Sequence, residues 1–397
     1  LPSHTLLGLP SYIKINQPQT SQENKARNWS VNTSLGVNYK IVESKDLFAI
    51  ENRNLLFLDG KPSKLPIRRL VVIDEKVYSL YREPIHEYFD AHAVELRILP
   101  LPISEPEKNW GAVERILEEL DAFKILRRDE PLIAIGGGVL LDIAGLAANL
   151  YRRGIPYIRV PTNLLALVDA SVGAKTGVNF QGYRNRIGTY YPPLVAFLDK
   201  TFLRTVDTRQ ICNGLGEILK IGLVKDRELF ELLEKHGDLL VTKRFQGPGV
   251  PDLVIQRAIQ GMVEELEPNL WEKQLERLVD FGHSFSPVIE MRALPELLHG
   301  EAVALDLAFS SVLAFQRGLL NSLDLDRVFK TMKILRLPTT HPLFCKPALL
   351  YEALEETVKH RNGLQRLPLP TGIGSARFFN DVTFEEIEMA ASTLKQR

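Results

Sequence analysis

Four apolar residues, Leu132-Ile133-Ala134-Ile135, run into three glycines, Gly136-Gly137-Gly138, and then into Val139-Leu140-Leu141-Asp142-Ile143-Ala144-Gly145-Leu146-Ala147-Ala148-Asn149-Leu150. The first run is short and β-rich, and the last has the length and spacing of a helix. Strand, glycine turn and helix make one unit of a parallel α/β domain. Such a turn lets backbone N–H groups approach a phosphate at the helix N-terminus. The pattern is not GxGxxG, and a glycine turn also serves close packing. On the glycines alone both readings stay open.

Outward from this unit the alternation continues. Leu70-Val71-Val72-Ile73 is a strand ending at Asp74, and Val94 to Leu99 is another. Trp110 to Phe123 carries Val113, Ile116, Leu117 and Leu120 on one helical face, and Tyr157 to Val160 is a further strand. Residues 37–200 therefore predict a Rossmann-like α/β domain with a parallel sheet. After Thr201 helical patterns dominate, over Gln210–Val224, Glu228–Leu240, Leu253–Leu266, Gly300–Phe315 and Leu349–Val358. Residues 201–397 predict a mainly helical second domain, with Pro368 to Gly372 as a loop or short hairpin. Residues 1–36, rich in Ser, Asn, Gln, Thr and Pro, predict a mobile arm.

Composition narrows the function classes. The 397 residues suggest two domains, and 45% hydrophobic content allows a large core. The 49 basic and 49 acidic residues cancel, so nothing points to nucleic acid or an anionic membrane. Two cysteines, Cys212 and Cys345, exclude a disulfide framework and fit the cytoplasm. No run of about 18 apolar residues predicts a membrane helix.

Four further segments carry candidate chemistry. Val168 to Asn179 places Asp169 and Lys175 among small residues, where they could grip hydroxyl and phosphate; a surface loop with a solvated lysine is the plainer alternative. In the helix Ile211 to Leu223, Asn213, Glu217 and Lys220 are four and three apart and share one face. That stripe is a solvated face or a site wall. Three glycines make the helix poor by propensity, which points to tight packing or close ligand approach. Phe281-Gly282-His283 and Leu298-His299-Gly300 each set a histidine beside a glycine at an element boundary. With Glu217 they could form a His₂Glu metal set with open positions, although lone histidines are more often structural.

Taken in order, GGGVLLDIAG, YRRG, RVPTNLLALVDASVGAKTGVN, NGLGEILKIG, DFGHSFSP and LLHGEAV resemble the dehydroquinate synthase-like superfamily of sugar phosphate cyclases, from about Leu70 to Asn380. The resemblance implies an active site in the cleft between the two domains. It implies Glu217, His283 and His299 as ligands of zinc or cobalt, and Gly136, Gly137, Gly138 and Asp142 as an NAD-binding turn. Ser104, Glu105, Lys108 and Thr162 would add NAD contacts, and Asp74 would hold the adenosine ribose. Asp169, Lys175, Asn185 and Lys220 match substrate- and phosphate-binding positions. Arg153 matches an arginine that reaches a neighbouring subunit's site, implying a homodimer.

Within that family three positions depart from dehydroquinate synthase: Asp280 for Asn, Pro287 for a second His, and His360 near a C-terminal lysine. Fewer cations and one more carboxylate disfavour a substrate carboxylate. Glu267-Pro268-Asn269-Leu270-Trp271-Glu272 and His360 to Gly372 resemble the branch that makes 2-epi-5-epi-valiolone from sedoheptulose 7-phosphate. There Asp280 and His360 would orient the hydroxymethyl end. The implied reaction is transient oxidation by NAD, phosphate elimination, re-reduction and intramolecular aldol closure. Relatives making 2-epi-valiolone or desmethyl-4-deoxygadusol use the same substrate. Dehydroquinate synthase itself, an NAD-dependent polyol dehydrogenase, and a non-catalytic descendant remain the rivals.

Overall fold

The computed structural model describes residues 29–58, 61–62 and 66–397; the arm expected over residues 1–36 lies mostly outside them. Six strands form one parallel sheet: β1 (Lys40–Glu43), β2 (Arg68–Asp74), β3 (Glu95–Leu101), β4 (Leu132–Gly136), β5 (Tyr157–Pro161) and β8 (Val195–Leu198). Their spatial order is β1-β8-β5-β4-β2-β3. Two further strands, β6 (Lys175–Phe180) and β7 (Tyr183–Tyr190), make a separate antiparallel hairpin.

The central strands are continuous apolar runs because both faces of the sheet are covered. Leu70, Val72, Leu132 and Ala134 face one way, onto α2 (Trp110–Phe123) and α3 (Gly138–Leu150). Val71, Ile73, Ile133 and Ile135 face the other, onto α1 (Glu75–Ala91) through Ile85, Tyr88 and Phe89. The sequence reading had not singled out α1. Its start is fixed by Asp74, whose side chain caps the first turn.

The connection from β2 goes outward to β3, whereas β4, on the other side of β2, leads on to β5. The chain therefore diverges between β2 and β4. In an open parallel sheet, ligands bind at the C-terminal strand ends at such a switch point. Asp74 closes β2 and Gly136 closes β4 at this edge.

The helical part follows, with α4 (Thr208–Val224), α5 (Arg227–Thr242), α6 (Val250–Leu266), α7 (Ser286–Arg292), α8 (His299–Gln316), α9 (Ser322–Ile334), α10 (Pro347–His360) and α11 (Phe384–Gln396). Pro287 lies in the first turn of α7, where a missing N–H costs nothing. The expected C-terminal hairpin forms between β9 (Leu367–Pro370) and β10 (Ala376–Phe379). Helices α4 and α8 are buried along most of their length and form the centre of this half's core. No helix among the described residues is long and apolar enough to cross a membrane.

Candidate active site

A cavity of about 750 Å³ runs from the switch point of the sheet to the N-terminus of α8. At its sheet end, Gly137 precedes α3 without any side-chain cap, so the first-turn N–H groups are left for a ligand. A Cβ on Gly137 would stand 2.6 Å from Asn163 Nδ2, and one on Gly138 would stand 3.2 Å from Ala170 Cβ. The glycines thus serve close packing and anion approach together. Gly136 lies beneath, where a Cβ would meet Leu140 Cδ2 at 2.6 Å.

Asp74 and Thr162 line the same end. Both cap bonds of Asp74 fall on Oδ1, at 2.8 Å to Lys76 N–H and 3.4 Å to Val77 N–H, so Oδ2 keeps its acceptor capacity. Ser104, Glu105 and Lys108 line the loop before α2. The Lys108 ammonium is buried and donates to Asp142 Oδ2 and Asn185 Oδ1, each at 2.6 Å. This triangle ties that loop to α3 and to hairpin β6–β7. Asn179 donates to Glu105 Oε1 at 2.8 Å and strengthens the tie.

At the far end Glu217, His283 and His299 converge, with one ligand atom from each within 4.8 Å of the others. Glu217 Oε1 lies 3.5 Å from His283 Nε2 and 3.2 Å from His299 Nε2. The glycines of α4 explain how. A Cβ on Gly216 would stand 2.4 Å from the Gly300 carbonyl oxygen, and one on Gly300 would stand 1.8 Å from the Asn213 carbonyl oxygen. The two helices touch backbone to backbone, and Gly300 N–H donates to Asn213 Oδ1 at 2.6 Å. Asn213 is therefore a helix clamp, Glu217 a ligand candidate, and Lys220 a cation 2.5 Å from Glu217 Oε2. The stripe predicted on this helix is buried rather than solvated, and Asn213 and Lys220 line the cavity.

His283 is placed by a residue that the sequence reading missed. Asp306 of α8 is fully buried and accepts from the N–H groups of Ser284, Phe285 and Ser286 at 3.0, 2.7 and 2.9 Å. Gly282 makes the preceding turn at φ 81°, where a side chain would also strike Val303. Glu290 was missed too; its Oε2 lies 2.9 Å from His299 Nδ1, fixing that ring with Nε2 toward Glu217. Arg184 reaches the same Glu290 oxygen at 3.1 Å. Nothing local in the sequence marks Asp306, Glu290 or Arg184, because the site residues they meet lie 9 to 115 positions away.

Burial and close charges set the protonation of these groups. Burial pushes the His283 pKa down to about 3, leaving a neutral imidazole. Burial also works against the His299 cation, but Glu290 and Glu217 outweigh it and raise its pKa to about 9. Glu290 is buried as well, yet Arg184 and His299 bring it down to about 2. Burial opposes the Glu217 charge, and Lys220 and the histidines hold its pKa well below the usual range. Neither Glu217 oxygen makes a hydrogen bond of proper geometry. A buried carboxylate between two imidazoles, with Lys220 on its other oxygen, is the donor set of a divalent zinc or cobalt ion, with positions left open.

Asp169 sits on a π-helical turn, Ala166–Ala170, and burial raises its pKa, with Glu217 adding to the effect. Lys175, Asn185 and Lys220 line the cavity beside it. Asp280 also lines it, but it is ion-paired with Arg277, and Arg361 lies 3.8 Å away. Two expected residues are elsewhere. His360 is exposed at the end of α10, outside the lining, and the next residue, Arg361, turns inward instead. Its guanidinium is buried and donates to Ser284 Oγ and to the carbonyls of Gln365 and Arg366. The helix ends there, so a one-residue step reverses the direction of the side chain. Arg153, at φ 62° after α3, is exposed and does not line its own chain's cavity.

Comparison with known proteins places the chain among its relatives. Residues 98–213 match the model described as 3-dehydroquinate synthase N-terminal, and residues 214–360 match its C-terminal counterpart. A 2-epi-5-epi-valiolone synthase of Actinoplanes sp. is 52% identical over 370 residues, 91% of this chain and 92% of that protein. A demethyl-4-deoxygadusol synthase of Trichormus variabilis is 35% identical over 95% of this chain and 92% of its own. The solved structure of a 2-epi-5-epi-valiolone synthase from Streptomyces hygroscopicus subsp. jinggangensis 5008, with NAD⁺ and Zn²⁺ bound, superposes with a TM-score of 0.88. It is 52% identical, and the match covers 93% of this chain and all of that one.

Proposed function

The chain belongs to the dehydroquinate synthase-like sugar phosphate cyclases, and from that premise we propose that it makes 2-epi-5-epi-valiolone from sedoheptulose 7-phosphate. The observation that carries this is identity of 52% to a 2-epi-5-epi-valiolone synthase across nearly the whole chain, against 35% to a demethyl-4-deoxygadusol synthase. The site supports a substrate with a neutral head. Arg277 is already neutralised by Asp280 and Glu272, so it offers no free charge to a substrate carboxylate.

In this reading NAD is held by the α3 turn, Asp74, Thr162 and the loop of Ser104, Glu105 and Lys108. A zinc or cobalt ion is held by Glu217, His283 and His299. When bound, these groups supply a reversible oxidation that acidifies the neighbouring C–H, and Lewis-acid polarisation of substrate oxygens. The chain's own part is positioning. Lys175, Asn185 and Lys220 hold the phosphate, and Asp169, poised beside Lys220, holds a hydroxyl. Asp280 orients the hydroxymethyl end through its pair with Arg277. The acidified C–H passes its proton to the phosphate as the C–O bond to phosphate breaks; the sugar ring then opens, and an aldol step forms the ring C–C bond with no net change in the cofactor.

The division near residue 200, into a NAD-binding part and a metal- and substrate-binding part, belongs to this reading. So does a homodimer in which the exposed Arg153 enters the partner's cavity. The free cysteines Cys212 and Cys345 suit the cytoplasm.

The test is phosphate release by the purified protein with NAD⁺ and Zn²⁺ or Co²⁺. Sedoheptulose 7-phosphate is run beside the seven-carbon acid phosphate used by dehydroquinate synthase, with products identified by NMR. Release from the sedoheptulose substrate alone, without net NADH and with 2-epi-5-epi-valiolone as product, is expected. Release from the acid alone overturns the reading of Asp280, and accumulation of NADH points to a polyol dehydrogenase.

A further inference from the structure

The segment Glu267-Pro268-Asn269-Leu270-Trp271-Glu272 enters the reading above only through the pairing of Glu272 with Arg277, yet the fold delivers Leu270 and Glu272 to the cavity. Asn269 folds the loop upon itself: its Nδ2 donates to the Gln274 carbonyl at 2.7 Å and its Oδ1 accepts from Gln274 N–H at 3.0 Å. Its carbonyl accepts from Glu272 N–H at 2.9 Å. Trp271 packs edge-on against Tyr190 of β7, with ring centroids 5.5 Å apart. Tyr190 is the register partner of Lys175. Glu272, held at φ 51° in the left-handed region, is thereby brought against Lys175.

One oxygen of Glu272, Oε1, contacts both the Lys175 ammonium and Arg277 Nη1. The Tyr190 hydroxyl is near enough that burial and the Glu272 charge push its pKa up to about 12. A carboxylate ringed by an ammonium, a guanidinium and a phenol occupies the surroundings expected of a bound phosphoryl oxygen. The Lys175 side chain is 59% exposed, so its half of the contact exchanges readily with a solute.

Building on the assignment of Lys175 to the phosphate, we infer that Glu272 is an internal stand-in for that phosphate, occupying Lys175 until the phosphorylated substrate displaces it and reclaiming it after elimination. A phosphate dianion carries more charge than a carboxylate and wins the exchange. The released product has lost its phosphate and does not. Glu272 thus loosens the hold of Lys175 on phosphate and hastens the departure of inorganic phosphate. In this role it is a positioning residue that acts through Lys175.

The test is isothermal titration of inorganic phosphate into the NAD- and zinc-loaded protein, as parent, Glu272→Gln, Lys175→Met and the double variant. Glu272→Gln is expected to bind phosphate roughly two- to fivefold tighter, the range an exposed ion pair is worth, with a matching fall in KM for the sugar phosphate. Product inhibition by phosphate should strengthen in step. Lys175→Met should weaken phosphate binding and abolish the benefit of Glu272→Gln. If Lys175→Met weakens binding while Glu272→Gln leaves it unchanged or weaker, the stand-in role is refuted and the Lys175 assignment survives. If Lys175→Met leaves phosphate binding untouched, the Lys175 assignment itself fails, and the stand-in role with it.

Discussion

Gly300→Ala should separate the metal ligands without altering any of them. A Cβ at position 300 would lie 1.8 Å from the Asn213 carbonyl oxygen and 2.9 Å from Asn213 Oδ1. The 1.8 Å neighbour is backbone in the middle of α4, which no rotamer change can move. Opening that contact from 1.8 Å to even 3.0 Å parts the helices by about 1.2 Å at this point. Metal–ligand distances tolerate only about 0.2 Å. Glu217 rides on α4 and His299 opens α8, so their 3.2 Å approach is what the wedge breaks. We expect zinc affinity to fall at least ~100-fold, the upper end of what loss of a supporting contact costs. Overpacking should also cost about 1–3 kcal/mol of stability. Chelator-competition titration reads the first, and a urea unfolding curve of the metal-free protein reads the second. Parental zinc affinity in a folded Gly300→Ala variant would refute the argument that backbone contact between α4 and α8 sets the ligand geometry.

Four further outcomes follow from contacts around the site. Metal must displace the proton from His299, whose pKa is raised to about 9, so apparent zinc affinity should climb about tenfold per pH unit up to about pH 9 and then level off; in Glu290→Gln the plateau should begin at lower pH, and an unchanged profile would count against Glu290 as the ring's partner. By the same sign, His299 stabilises the metal-free fold fully below pH 6.5 and loses that contribution as pH rises through 9, which pH-dependent unfolding would show. Asp306→Ala strands three buried N–H groups and should destabilise by at least about 3 kcal/mol at 1–3 kcal/mol each, displacing His283; denaturant unfolding and zinc titration check both effects. Arg361→Ala should impair activity and stability, whereas His360→Ala should stay close to the parent, because only Arg361 is buried beside Asp280 and Ser284; the reverse ranking in steady-state assays would restore His360 to the site.

The amino-acid sequence by itself determined the elements whose signal is local. Apolar runs such as Leu132 to Ile135 are strands because they are buried on both faces, and the glycines after them permit a turn that bulkier residues would block. The three glycines of α4 announced close packing, although the partner they pack against was not written beside them. The helices of the second half were legible from their spacing. Asn213, Glu217 and Lys220 share one face by helical geometry alone, and convergence of Glu217 with His283 and His299 was expected only through family resemblance.

Tertiary structure alone decided what depends on residues distant in sequence. Glu290 meets His299 because α7 and the loop after it fold back on the start of α8, and Asp306 reaches Ser284 across the α7–α8 turn. Whether residue 360 or 361 faces inward depends on where α10 ends, and spacing fixes that boundary only to within a turn. The pairing of Glu272 with Lys175 joins a loop to the start of β6, nearly a hundred residues away. Backbone propensity acts over a few residues and leaves its mark in the sequence, whereas ion pairs and metal sites are set by where whole elements come to rest.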